Sequence, residues 1–314
     1  MKAVGLNNYG GPEVLHIVDL PDPDAGPGQV RIRVQAAGVN PVDAMLRTGL
    51  LAGTFPDARP PFVPGMEVAG TIDQIGSDVH LRDNLAVGSD VVAIIDSVGS
   101  HGGYSQMVVV PAESVTRAPG GATPAQSASF LNNALTAQNA LDAFALPAGA
   151  TLLVTGAAGA VGGYAVQLAA HAGLRVVAVA GPDDEDLVRS FGADVVVRRG
   201  PDVAARVRSV VPEGVDAVAD AALLHGQILD AIRDGGQLGT FRGWAGQPER
   251  GIAVHGLNVR RRATDLPAIT RMRELVEEGV LDLRVAVTYP LTDAAAAHRR
   301  LDHGGLRGRI VLEP

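Results

Sequence analysis

The sequence predicts an α/β chain of two lobes, one mainly β and one built on a doubly wound parallel sheet. Three observations carry this expectation. At 314 residues, with 46% hydrophobic composition and 39 glycines, the chain can bury a large core but exceeds what a single core usually holds. Up to about Ala122 it runs as short alternating segments broken by proline and glycine. From Thr123 the rhythm becomes buried strand, glycine turn and helix, which implies parallel strands joined by right-handed crossovers.

The elements follow in order. In "QVRIRVQAAG", Val30, Ile32, Val34 and Ala36 share one face and Arg31, Arg33 and Gln35 the other, the period of a half-buried strand. "EVAGTIDQIG", "GSDVVAIID" and "YSQMVVVP" continue the pattern. The second lobe reads as "ATLLVTG" then "AVGGYAVQLAAHAG", "RVVAVAG" then "DEDLVRSFGA", "DVVV" then "PDVAARVRSVV", "VDAVAD" then a helix at "HGQILDAIRDGG", and "QLGTF". From about Val259 come a helix at "LPAITRMRELVEEG", a strand at "VAVTYP", a helix opened by Thr292, and a last strand "GRIVLEP". Such a tail could return to the first lobe. The expected divisions are residues 1–122, 123–258 and 259–314.

The stretch Val154 to Gly173 holds five glycines and no charge. Uncharged residues run from Ala143 to Leu174, long enough to raise the question of a membrane span. Pro147 and the glycines interrupt that run, each a poor choice inside a helix that must satisfy its own backbone, so no membrane association is expected. Val161, Ala165, Leu168, Ala169 and Ala172 instead recur at helical spacing up to Gly173, a natural C-terminal cap. Gly156, Gly159 and Gly162 therefore sit at a strand-to-helix turn. There, outward-facing amides and the positive helix end suit a pyrophosphate.

Composition narrows the function. A net charge of -8, a pI near 5.4 and 4% aromatic residues provide neither a basic patch nor stacking platforms, so no nucleic-acid partner is expected. With no cysteine, disulfides, thiolate zinc sites and cysteine nucleophiles are excluded. The first residues lack a secretory pattern, and a cytoplasmic protein is expected. No G-x-S-x-G or H-E-x-x-H pattern is present.

Strings spread along the chain, among them "MKAVGLNNYGGPEVL", "GVNPVDAMLRTG", "FVPGMEVAGTIDQIGSDV", "LTAQNAL", "GAAGAVGGYAVQLA" and "RGRIVLEP", resemble the zinc-free medium-chain dehydrogenase/reductase superfamily, in its quinone oxidoreductase or zeta-crystallin-like branch. The resemblance implies a GroES-like mainly β catalytic domain around a central Rossmann domain, often paired as a homodimer. It also implies hydride transfer from NADPH, with NAD possible, to a quinone or an activated carbonyl or alkene. In zinc-dependent relatives a Cys occurs at the position of Asn40 and a His at Met66; neither Asn nor Met is a usual zinc donor, so no metal is expected.

The catalytic candidates are Asn40, Asp43 and Thr136. Asn40 could donate to the acceptor oxygen or orient the nicotinamide, or hold the loop ahead of Pro41. Asp43 is read mainly as a cap of "DAMLRTG", and Glu67 as a hydrogen-bonding group beneath the cleft. Thr136 either holds the carboxamide or caps "AQNALDAF". Many relatives carry a tyrosine at Met45, which cannot donate a proton; that favours quinones over less activated enones. Tyr104 reads as packing, and Trp244 as either a pocket wall or an exposed loop aromatic.

The cofactor-binding set is Gly156, Ala157, Ala158, Gly159, Ala160, Val161 and Gly162, with Gly181, Arg198 and Phe241 at later strand ends. The second strand ends in Ala180 and Gly181 without the acid that usually receives ribose hydroxyls, which permits a 2′-phosphate. Asp183 to Asp186 would repel that phosphate, while Arg198 and Arg199 could bind it or simply be exposed. Gly49 to Pro61 would shape the substrate mouth, and Arg260 to Arg262 read as a solvated boundary. The alternatives are a reductase of enones, enoyl thioesters or carbonyls, and a crystallin-like binding protein without turnover.

Overall fold

The structure, a computed structural model, describes residues 1–82 and 84–314. It divides into two compact units, Met1–Asn132 with Arg260–Pro314, and Asn133–Val259. In chain order the elements are β1 (Lys2–Gly5), β2 (His16–Asp19), β3 (Gln29–Val39), α1 (Pro41–Arg47), β4 (Glu67–Ile75), β5 (Asp90–Ile94), β6 (Met107–Pro111), β7 (Val115–Arg117) and α2 (Pro124–Ser127). Then come α3 (Leu131–Phe144), β8 (Thr151–Thr155), α4 (Ala160–His171), β9 (Arg175–Ala180), α5 (Glu185–Ser190), β10 (Val195–Arg198), α6 (Val203–Val210), β11 (Val215–Asp220), β12 (Ile232–Thr240) and β13 (Ala253–Gly256). The chain closes with α7 (Leu266–Glu277), β14 (Val285–Pro290), α8 (Ala294–His303) and β15 (Arg309–Glu313).

In the first unit β1 and β2 pair antiparallel, and a second sheet runs β14-β15-β3-β4-β5-β7 with β6 also on β3. Strand β3 behaves as its period demands: Val30, Ile32 and Val34 are buried while Arg31, Arg33 and Gln35 are not. These residues join Val68, Ile72, Val91, Ala93, Val108 and Val110 in one aliphatic core, to which the tail adds Leu291, Ala294, Ala297, Ile310 and Leu312. Pairing of Ile310 with Val39 and Leu312 with Ala37 places β15 beside the end of β3, directly before Asn40. Helix α2 packs on β3 and β4, which is why Thr123–Ser127 belongs to this unit by its contacts.

The second unit is one parallel sheet in the order β10-β9-β8-β11-β12-β13. Its core joins Leu153, Val177, Val218 and Leu238 from the strands to Val203, Val207 and Ile228 from the connections. The order reverses between β8 and β11, so a crevice forms at their carboxyl ends, where ligands of such sheets bind. Burial on both sides makes the strands apolar throughout, as in Thr151–Thr155 and Arg175–Ala180.

Four local expectations change. "HGQILDAIRDGG" is a 3-10 turn over His225–Ala231 followed by β12, because Gly235 at φ 67° and Gly236 favour neither a helix nor its continuation. Strand β13 was not anticipated, since "AVHG" is short and mostly exposed and carries no buried-strand pattern. Helix α8 starts at Ala294 with Asp293, not Thr292, at its N-cap position. Helix α3 starts at Leu131, so Thr136 is interior and the capping reading fails. Among the described residues no helix is long and apolar enough to cross a membrane.

Candidate active site

In the first unit the site grows from the end of β3. The buried run Ala36–Val39 delivers the chain to Asn40, which is extended at φ -116° and ψ 153° and caps α1. Pro41 at the first helical position needs no N–H partner there. Asp43 closes the turn: its Oδ2 accepts the Asn40 backbone N–H at 2.7 Å and its Oδ1 accepts the Gly65 N–H at 2.8 Å. The Asn40 side chain donates through Nδ2 to Glu67 Oε1 at 3.1 Å and to Gly38 O at 3.5 Å. Glu67 Oε2 takes the Asn132 N–H at 2.8 Å.

These groups are almost wholly withdrawn from water, with Asn40 at 2% exposure and Asp43 and Glu67 at 1% each. Burial pushes the Asp43 carboxyl up to about 7, with the Asn40 and Gly65 amides and Arg309 opposing the rise. Burial likewise raises Glu67, against Arg309 and the bonds from Asn132 and Asn40. The amide nitrogen of Asn40 is thus committed to Glu67, which fixes the orientation of the side chain. Tyr104, expected as packing, is wholly buried and also hydrogen-bonded: its hydroxyl donates to Asp43 Oδ2 at 3.4 Å and lies 3.0 Å from His298 Nε2. His298 and Arg47 were missed by sequence reasoning, because nothing local distinguishes a buried histidine or arginine on an amphipathic helix from an exposed one.

This cluster does not suit a zinc ion. Met66 is a buried apolar residue, Asn40 is tied to Glu67, and both Glu67 oxygens already hold donors. Among the described residues no group of three or more His, Asp or Glu side chains is placed to hold a metal. Arg260, expected to be solvated, pairs with Asp96 and lies over the Phe55 ring at 4.1 Å, so it braces the 49–61 segment. Arg262 pairs with Asp265 at 2.9 Å.

In the second unit the site is main chain. After Thr155, Gly156 takes φ 61°, which a side chain would resist, and the turn leads through Ala157 and Ala158 to Gly159, the N-cap of α4. A Cβ on Gly162 would collide with the Gly156 carbonyl, so only glycine lets α4 sit this close to the turn. The first helical bond of α4 is made by Gly163 to Gly159 at 3.0 Å; the amides of Ala160, Val161 and Gly162 precede it at the positive end of the helix. Across the switch point Thr155 Oγ1 donates to Asp220 Oδ1 at 2.6 Å, and Asp220 also accepts the Leu224 and His225 amides. Thus the two loops bordering the crevice are fastened together.

The later strand ends separate the two arginines. Arg198 is paired with Ala180 in the β10–β9 ladder and its side chain is exposed. Arg199 folds over the end of β9: a Cβ on Gly181 would come within 3.6 Å of its Nε and 3.1 Å of Asp184 Oδ2. Phe241 follows β12 at the carboxyl edge and is half-buried, as is Trp244, which packs on the core and lies parallel to His225 with ring centroids 6.3 Å apart. Trp244 is therefore no exposed loop aromatic.

Residues 26–120 match the alcohol dehydrogenase GroES-like domain, and residues 191–312 match the family described as zinc-binding dehydrogenase. A quinone oxidoreductase of Pseudomonas aeruginosa is 30% identical over 100% of this chain and 99% of its own length. The chain belongs to the medium-chain dehydrogenase/reductase superfamily, in its quinone oxidoreductase branch. An NADPH-dependent alkenal/one oxidoreductase of Arabidopsis thaliana is 28% identical over 100% of this chain and 80% of its own. A mycobacterial protein solved in complex with NADPH superposes with a TM-score of 0.88 at 29% identity, covering 100% of both chains. The two-domain fold of this family, a GroES-like β domain and a Rossmann domain, is the fold observed here.

Proposed function

We propose that this protein transfers a hydride from NADPH to a quinone without a zinc ion. The observation that carries this reading is the closed Asn40–Glu67–Asp43 cluster, which fills with satisfied hydrogen bonds the place where zinc-dependent relatives have a thiolate and an imidazole. When bound, NADPH supplies the hydride, and the acceptor takes up one proton besides. In the second unit the amides of Ala160, Val161 and Gly162 would hold the pyrophosphate, and Arg199, rather than Arg198, would meet the 2′-phosphate. Gly181, Phe241 and Thr136 remain the candidates for the adenosine and nicotinamide ends.

In the first unit Asn40, whose side chain Glu67 holds in one orientation, positions the acceptor. Asp43 holds the loop rather than the substrate. Met45 has no proton to give, so solvent supplies the proton; a hydroquinone oxygen accepts it readily, whereas an enone carbon is a harder target. The likeness to the Arabidopsis thaliana alkenal/one oxidoreductase supports a second reading, reduction of an activated alkene. We also infer a homodimer, for which β13, an edge strand, offers a pairing surface; sedimentation equilibrium checks it.

The test is consumption of NADPH and of NADH with simple benzo- and naphthoquinones and, in parallel, with a short alkenal, all in buffer containing a chelator. Quinone turnover that persists with the chelator and prefers NADPH is the expected result. Turnover of the alkenal alone would replace the first reading with the second, and no turnover with bound NADPH would remove both.

A further inference from the structure

Helix α1 has only seven residues, fewer than an isolated helix needs to hold itself, yet it carries Asn40 at its start. Both of its ends lead to one residue from the far end of the chain. From the first turn, Asp43 Oδ2 accepts the Tyr104 hydroxyl at 3.4 Å, and Tyr104 Oη lies 3.0 Å from His298 Nε2. From the last turn, Arg47 Nη1 lies 3.4 Å from His298 Nδ1, and Nη2 donates to Asp302 Oδ2 at 2.9 Å. Arg47, Asp43, Tyr104 and His298 are all buried.

The order of donors follows from chemistry. A guanidinium has no acceptor, so His298 Nδ1 must accept and Nε2 must carry the hydrogen. Tyr104 then accepts from His298 and gives its own hydrogen to Asp43. The ring closes in one direction: Arg47 to His298 to Tyr104 to Asp43, and back to Arg47 along α1. Protonating His298 would set its Nδ1 hydrogen against Arg47, in keeping with the lowering of this imidazole to about 4 by burial and by Arg47.

Four ionisable side chains in an aliphatic core are not the simplest source of stability, since apolar residues of similar volume often serve as well. What they add is a defined orientation. We propose that Tyr104 and His298 are positioning residues that clamp α1 at both ends and so fix Asp43 and the Asn40 amide for hydride transfer. This rests on the functional reading given above. The charged groups facing Asp43 from neighbouring elements are Glu67 on β4 and Arg309 on β15, with Tyr104 on the approach to β6.

The test compares His298→Leu, His298→Gln and Tyr104→Phe with the wild type in kcat for a benzoquinone, Kd for NADPH, the pH profile of kcat, and the Asp43 carboxyl titration by carbon NMR. Loss of alignment predicts that His298→Leu lowers kcat about tenfold or more while Kd for NADPH stays within about twofold, and that His298→Gln, with an amide donor and a carbonyl acceptor, restores most of the activity. Phe at position 104 removes a donor to the ionised carboxylate, so the acid limb of kcat and the Asp43 midpoint both move to higher pH. Wild-type kcat, pH limb and Asp43 midpoint in the Leu and Phe variants would overturn the clamp. Should the Leu variant not fold, Tyr104→Phe decides alone. Should the wild type turn over no acceptor, the functional reading fails; the Asp43 titration needs no acceptor and still decides, an unmoved midpoint in Tyr104→Phe overturning the clamp.

Discussion

The two units present polar groups from apolar cores by opposite means. In the Rossmann unit the candidate site is backbone: a positive φ at Gly156, a missing side chain at Gly162, and amides at the start of α4. In the β unit it is side chains, each holding another: Glu67 holds Asn40, Asp43 holds the Asn40 and Gly65 amides, and Tyr104 joins Asp43 to His298. A backbone site needs no ionisation and loses little entropy on binding. A side-chain site can be tuned, but it depends on every partner and on pH. Substitutions should therefore separate the units: changes in one alter cofactor affinity, and changes in the other alter turnover.

The largest effect is expected at Glu67. Replacing it with Ala removes the acceptor that Glu67 gives to the buried Asn40 amide and to the Asn132 N–H; each such loss costs roughly 1–3 kcal/mol, so stability falls by about 2–6 kcal/mol in urea unfolding. Among molecules still folded, kcat drops about a hundredfold with NADPH affinity little changed, because the Asn40 side chain loses its orientation. A matching loss of NADPH affinity would show that the two units do not act separately. Next is Gly162→Ala, which forces α4 away from the Gly156 carbonyl. Overpacking costs about 1–3 kcal/mol of stability, and the displaced turn raises the NADPH Kd by roughly tenfold, about 1.4 kcal/mol, read by fluorescence titration. Arg199→Ala should weaken NADPH about tenfold and leave NADH unaffected, with Arg198→Ala changing both less.

The smallest and most specific effect is on pH dependence. Asp43 has a folded value of about 7, above its ordinary 3.8, so the stability it lends its protonated form is full below about 3.8 and lost as pH rises through about 7. His298 has a folded value of about 4, below its ordinary 6.5, so its contribution is present above about 6.5 and lost as pH falls through about 4. Between about pH 4 and 6.5 the two slopes oppose each other. Relative to the wild type, His298→Gln should make stability fall more steeply as pH rises across this window, and Asp43→Asn should make it fall less steeply. Thermal midpoints measured across the window check both signs.

The same contrast governs what the sequence made legible. The glycine turn could be read because its requirements are local: Gly156, Gly159 and Gly162 lie within one strand-turn-helix unit whose apolar period is visible on either side. The alternation of β3 and the apolar strands of the parallel sheet were legible for the same reason. The clamp on α1 was not, because it joins Asp43, Arg47, Tyr104 and His298 across the whole chain, and each of these residues has an ordinary local setting. Arg198 and Arg199 were indistinguishable as neighbours; both are exposed, and the structure separates them by laying Arg199 beside Gly181. Thr136 misled because a helix can begin before its most cap-like residue, as α3 does at Leu131.

On the function proposed above, hydride passes directly to a quinone, aligned by Asn40 and without a metal. The measurement that tests it most directly is the deuterium isotope effect on single-turnover reduction of a benzoquinone, using NADPH labelled at the transferred position of C4, with a chelator present. A slowed transfer step for the labelled cofactor in the wild type, unchanged by the chelator, is the expected result. Full binding of NADPH with no transfer, or transfer that the chelator abolishes, would contradict it.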